Sequence, residues 1–81
     1  MRKVKGRIKK IENKVILFVH NNSELKELHG ENITIKINGT NEYIFGKVIK
    51  YANRYVISIP KTEPYEEYIK KGNEISFEII Y

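Results

Sequence analysis

The chain has 81 residues, no Cys and a formal net charge of +5. This length allows one small domain with one hydrophobic core, and the lack of Cys excludes disulfides and thiolate metal sites. No apolar run approaches the roughly 20 residues of a membrane-spanning helix, and no signal peptide is recognisable, so we expect a cytoplasmic protein. Abundant Lys, Glu and Ile is typical of thermophile proteins.

The first predicted strand alternates in polarity, with basic side chains on one face and a buried set on the other. The inward-facing residues are Val4, Gly6 and Ile8. Lys10 and Ile11 break this alternation, which predicts a bend or bulge. A turn follows at residues 12–14, in which Asn13 is the residue best suited to left-handed backbone.

The second predicted strand, residues 15–19, is continuously apolar, which favours burial on both faces, or burial on one face with Ile16 and Phe18 covered by a helix. A short helix follows, with Ser23 as its N-cap and Gly30 as its left-handed stop. The third strand, residues 33–37, again alternates Ile with polar residues. The pair at 38–39, Asn-Gly, predicts a hairpin that leads into a fourth strand.

The second half repeats this order. A strand from Tyr43 to Ile49 is followed by a turn at residues 51–54 and a strand that ends at Pro60, because Pro cannot donate to a ladder. A second short helix is predicted to begin at Thr62 and to end at Gly72. The last strand alternates from residue 75 to the end of the sequence.

The two halves align with each other residue by residue. At an offset of about 40 residues, glycines, lysines and turn residues coincide, and after the second helix the offset is about 42. The coinciding pairs include Gly6 with Gly46, Lys10 with Lys50, Asn13 with Asn53, and Gly30 with Gly72. We therefore predict one domain, 1–81, made of a repeat at 4–37, a link at 38–42 and a repeat at 43–81. The alternative is that two unrelated strand-rich segments look alike.

Six strands and two short helices in two equivalent halves predict a closed barrel. A three-stranded half would expose an apolar face and unpaired strand edges. Two halves related by a pseudo-twofold axis can share one core. The expected fold is therefore mostly β, a six-stranded closed barrel with an internal ββαβ duplication and two short helices.

Positive charge is concentrated at the beginning of the chain. Residues 1–14 hold seven Lys or Arg against one Glu, whereas the remaining residues hold eight basic and nine acidic side chains. A charged thermophile surface accounts for abundant charge, but it does not account for this asymmetry. A basic strand of this kind is typical of phosphate contacts, and it can also serve to deter edge-to-edge strand pairing.

Three stretches, 47–54, 57–61 and 71–75, resemble the AbrB/MazE swapped-hairpin family. That family shows a basic strand, a Gly-Asn turn, an Ile-Pro-Lys stop, a short helix and a Gly-Asp pair before the last strand. This sequence departs from the pattern at Ala52, Asn73 and His20. Because the chain carries two units rather than one, it most resembles the RIFT-type cradle-loop barrels, with double-psi threading as the alternative.

The resemblance implies a nucleic-acid-binding protein, since swapped-hairpin relatives bind DNA through basic residues of the first strand and its turn. We expect duplex DNA as the partner, with salt-dependent phosphate contacts and little sequence preference. The implied contact residues are Arg7, Lys9, Lys10 and Lys14, with Lys47, Lys50 and Arg54 as their symmetry mates.

Two other function classes are open. Cradle-loop barrels also serve as adaptors, and this chain has tyrosines suited to a protein interface, Tyr43, Tyr51, Tyr65 and Tyr68. Archaeal riboflavin kinases share the architecture, but this sequence has no Asp, no phosphate-cradling Gly loop and no paired nucleophile and base. We therefore predict a non-enzymatic monomer or homodimer with no catalytic residue, cofactor or metal.

Overall fold

A computed structural model of the protein describes residues 2–60, 66 and 74–80. Its strands are β1 (Arg2–Ile11), β2 (Lys14–Val19), β3 (Asn32–Ile37), β4 (Tyr43–Tyr51), β5 (Arg54–Ile59) and β6 (Ile75–Ile80), and a 3₁₀ helix spans Asn22–Leu28.

The six strands close into a barrel in the order β1-β2-β5-β4-β3-β6. Every neighbouring pair is antiparallel. The predicted mostly-β, six-stranded closed barrel is confirmed. The predicted second helix, from Thr62 to Gly72, lies outside the described residues except for Glu66.

The pairing register of the two hairpins is the same. Arg7 lies opposite Phe18 in the β1–β2 hairpin, and Lys47 lies opposite Ser58 in the β4–β5 hairpin, so each pair is the other shifted by 40 residues. Leu17 pairs with Ile57 where the two hairpins meet. Exchanging the first three strands with the last three therefore leaves the ring of neighbours unchanged.

The core fills the barrel interior from all six strands. Its fully buried members include Leu17, Ile35, Ile44, Val48, Ile57, Phe77 and Ile79. Ile16 and Val56 are also fully buried, although they lie outside this cluster. At these positions β2 and β5 are thus buried on both faces, as the continuous apolar run predicted for β2. The half-buried residues of the two strands are Phe18 on β2 and Tyr55 and Ser58 on β5.

The first helix differs from the prediction. It is a seven-residue 3₁₀ helix whose N-cap is Asn21, with no side-chain cap hydrogen bond. The Ser23 hydroxyl instead donates to Asn21 Oδ1 at 2.6 Å. A segment this short gains little from helix propagation, so tertiary packing decides its form. Leu25 is fully buried in the core and the helix packs against β5. The predicted left-handed stop is confirmed at Gly30, with φ of 86°.

The turns correct two further details. Pairing continues regularly to Ile11 opposite Lys14, which rules out a bulge at Lys10 and Ile11. Positive φ occurs at Glu12 (56°) rather than at Asn13. Such a register leaves a two-residue loop, and tight hairpin loops that match the strand twist need positive φ at their first position.

Candidate nucleic-acid interface

The outer side of β1 is a row of cations, Lys3, Lys5, Arg7 and Lys9, which we call the basic face. All four side chains are exposed, and the residues between them are buried. This alternation confirms the predicted strand polarity and follows from the pleat of a strand that lines a barrel. The basic face therefore presents four positive charges along one line on the surface.

The equivalent row on β4 consists of Tyr43, Phe45, Lys47 and Ile49, which we call the mixed face. Tyr43 is 49% exposed and Phe45 59% exposed. Since β1 and β4 are separated by two strands in either direction around the ring, they lie on opposite sides of the barrel. The two faces therefore cannot form one continuous surface.

A cleft opens beside the basic face, around the half-buried ring of Phe18. Its volume is about 380 Å³, and it is lined by Arg7, Lys9, Phe18, Val19, His20 and Arg54. We call it the Phe18 cleft. Lys9 Nζ and Arg54 Cζ each lie 5.7 Å from the centre of the Phe18 ring, and Arg7 is the cross-strand neighbour of Phe18. Three cationic residues therefore surround one aromatic ring.

Two contacts fix the position of Arg54 and Phe18 within this cleft. Arg54 Nη2 donates a hydrogen bond to the Val19 carbonyl oxygen at 3.1 Å. The Phe18 ring meets the Tyr51 ring edge-on, with 6.2 Å between their centres, a favourable geometry for aromatic pairs. The guanidinium and the two rings therefore lie close together at the junction of β2, β4 and β5.

His20 lies at the edge of the cleft. Its backbone N–H donates to the Lys5 carbonyl oxygen at 2.9 Å. Its ring Nε2 lies 2.6 Å from Glu74 Oε2, and the His20 side chain is 61% exposed. His20 therefore links the end of β2 to β1 through the backbone and to the beginning of β6 through its side chain.

The structure places the seven predicted contact residues in different parts of the barrel. It brings Arg7, Lys9 and Arg54 together at the Phe18 cleft. Lys47 lies on the mixed face, on the opposite side of the barrel. The other three predicted residues are exposed at strand ends and do not line the cleft, namely Lys10, Lys14 and Lys50.

Sequence reasoning did not identify Phe18 as part of the site, because it treated this residue as one member of an apolar strand. The two-residue loop at 12–13 would have placed Phe18 opposite Arg7 by counting outwards along the hairpin. No such count would have placed Arg54, a predicted contact residue from the other half of the chain, beside Phe18.

The position equivalent to Phe18 in the second half is Ser58, and its surroundings differ. Ser58 lines a cleft of about 420 Å³ together with Asn32, Ile33, Thr34, Phe45, Gly46, Lys47 and Pro60. Among the described residues, this second cleft contains one cationic residue, Lys47, whereas the Phe18 cleft contains three. The concentration of positive charge is therefore specific to the Phe18 cleft.

Within the described residues, no group of three or more His, Cys, Asp or Glu could hold a metal ion. In that same part of the chain, no helix is long and apolar enough to cross a membrane. Comparisons with protein-family models, curated proteins and solved structures give no match.

Proposed function

We propose that this protein binds nucleic acid, mainly through phosphate groups, at the basic face and the Phe18 cleft. The observation that carries this proposal is the convergence of Arg7, Lys9 and Arg54, from strands far apart in sequence, on one cleft. Lys and Arg supply most of the affinity in sequence-independent binding, because they displace the counterions of the phosphate backbone.

The charges of this cleft are available to a ligand. Among the described residues, Arg7, Lys9 and Arg54 have no carboxylate partner, and the Glu74 carboxylate at the edge of the cleft contacts His20. Arg54 uses one N–H on the Val19 carbonyl oxygen, and a guanidinium has five such donors. The remaining donors can therefore bind phosphate oxygens.

Salt dependence tests the proposal. We expect a dissociation constant of about 1–100 μM at moderate salt, which weakens steeply as salt rises. Fluorescence anisotropy should show that Arg7→Glu/Lys9→Glu loses most of this affinity and reduces the salt slope by about two.

The matched control is Lys47→Glu/Lys50→Glu, which makes the same change in net charge on β4. We expect this variant to bind much more tightly than the β1 variant. Equal losses in both would mean that net charge alone attracts the ligand, and no binding by the unmodified protein at low salt would refute the proposal.

We also infer that the barrel is an internally duplicated cradle-loop barrel of the RIFT type. The shared register of the two hairpins supports this inference. It is tested by a circular permutant that begins at residue 41, with β6 joined to β1 by a short loop. These strands already pair at Val4 and Phe77, so the permutant should fold cooperatively; a failure to fold would count against equivalent halves.

A second candidate function is protein interaction through the mixed face. The exposure of Tyr43 and Phe45 favours it, because aromatic residues are enriched at interfaces. Light scattering over a concentration series should then detect a homodimer that Tyr43→Ser weakens. A monomer at every concentration would exclude this homodimer.

A further inference from the structure

The Phe18 cleft combines aromatic and cationic groups in a way that phosphate contacts alone do not require. The Phe18 ring lines the cleft, lies beside the Arg54 guanidinium and packs edge-on against the Tyr51 ring. We propose that the preferred ligand is single-stranded nucleic acid, with one unpaired base stacked in the Phe18 cleft and the adjoining phosphates on the basic face. This inference rests on the proposed function and narrows its ligand class.

Stacking distinguishes single strands from duplexes. In a duplex, neighbouring bases already cover each base face, whereas an unpaired base can stack on an aromatic ring or on an Arg guanidinium. The hydrogen bond from Arg54 to Val19 holds the guanidinium beside the Phe18 ring before any ligand arrives. A base that enters the cleft therefore meets an ordered stacking group.

The basic face has the geometry to follow an extended backbone. Its four cations occupy alternate positions on β1, about 7 Å apart and about 20 Å from Lys3 to Lys9. Arg7 and Lys9 also line the cleft, so phosphate binding and base stacking meet at the same place. A cleft of about 380 Å³ is within the size range of small-ligand sites and can accept one base.

The test compares labelled oligonucleotides of about 12 nucleotides, a length within the range that small barrels bind. Unstructured oligo-dT, oligo-U and a blunt DNA duplex of equal length are titrated by fluorescence anisotropy. We expect the single strands to bind roughly tenfold more tightly than the duplex. A preference between oligo-dT and oligo-U identifies DNA or RNA as the source of the strand.

Variants of Phe18 show whether stacking causes the preference. Phe18→Leu should weaken single-strand binding roughly tenfold and leave duplex binding unchanged. Phe18→Tyr keeps an aromatic ring and should retain the affinity for single strands. The matched control is Tyr43→Leu, which removes an exposed aromatic ring from the opposite side of the barrel and should change neither affinity.

A second measurement does not depend on the folding of a variant. An oligonucleotide that carries 5-iodouracil is photocrosslinked to the unmodified protein, and the crosslink should map to the peptide that contains Phe18 or Tyr51. Duplex binding that equals single-strand binding, or a crosslink elsewhere, overturns this inference and leaves the proposed function standing. Absence of binding to every oligonucleotide refutes both.

Discussion

The basic face and the mixed face occupy equivalent backbone positions but carry different side chains. Lys5 on β1 corresponds to Phe45 on β4, and Lys9 corresponds to Ile49, at the same offset that relates the two hairpin registers. The buried residues between them stay small or apolar in both halves. Packing thus constrains the interior of both halves alike, whereas the outer positions are free to serve different surfaces.

The largest effect should come from the shared interior. Leu17 and Ile57 pair with each other and are both fully buried, so Leu17→Ala and Ile57→Ala should each lower the free energy of unfolding by about 3 kcal/mol. Urea denaturation measures both. If one substitution cost less than about 1 kcal/mol, the two halves would not contribute equally to the core.

Substitution of the two equivalent glycines, Gly6 and Gly46, should destabilise the protein to different extents. A Cβ at Gly6 would overlap the Phe18 carbonyl oxygen, whereas a Cβ at Gly46 would meet Ile57 Cγ2 at 2.5 Å and the Ser58 carbonyl oxygen at 3.1 Å. Because backbone moves less readily than a side chain, Gly6→Ala should cost about 3 kcal/mol and Gly46→Ala about 1–2 kcal/mol. Thermal unfolding checks the order, and the reverse order would contradict it.

Introducing the side chains of Lys9 and Phe18 at the equivalent positions of the second half should create a second binding site. Ile49→Lys/Ser58→Phe gives the second half the cation and the ring of the Phe18 cleft, so single-strand binding should rise from about one to about two oligonucleotides per chain. Isothermal titration calorimetry measures the stoichiometry. The matched control, Ile49→Lys/Ser58→Thr, adds the charge without the ring, and an equal rise there would show that charge alone creates a site.

The smallest effect should come from the contact between His20 and Glu74 at the edge of the cleft. His20 is mostly exposed, and even charged pairs at the surface contribute only about 0–1 kcal/mol. His20→Ala should therefore lower the free energy of unfolding by less than about 1 kcal/mol, as measured by urea denaturation. A larger loss would show that the contact with Glu74 is important for holding β6 in place.

Much of the barrel follows from local pattern. The alternation of Val4, Gly6 and Ile8 with cations predicted which side of β1 faces the core, and the structure confirms it. The helix was predicted less well, because seven residues around Ser23 contain too few local interactions to choose between an α-helix and a 3₁₀ helix. The sequence did not show which of the predicted contact residues lie together, because a single sequence does not show which strands become neighbours.

The sequence by itself determined the strands, their inward faces and the correspondence between the two halves, since these depend on side-chain periodicity and on turn residues close in the chain. Only the tertiary structure decided that β2 lies beside β5. That neighbour relation brings Arg54 to Phe18 and to Val19, which is 35 residues away in the sequence. Contacts of this kind arise from barrel closure, which buries apolar surface from both halves at once and leaves no trace in local pattern.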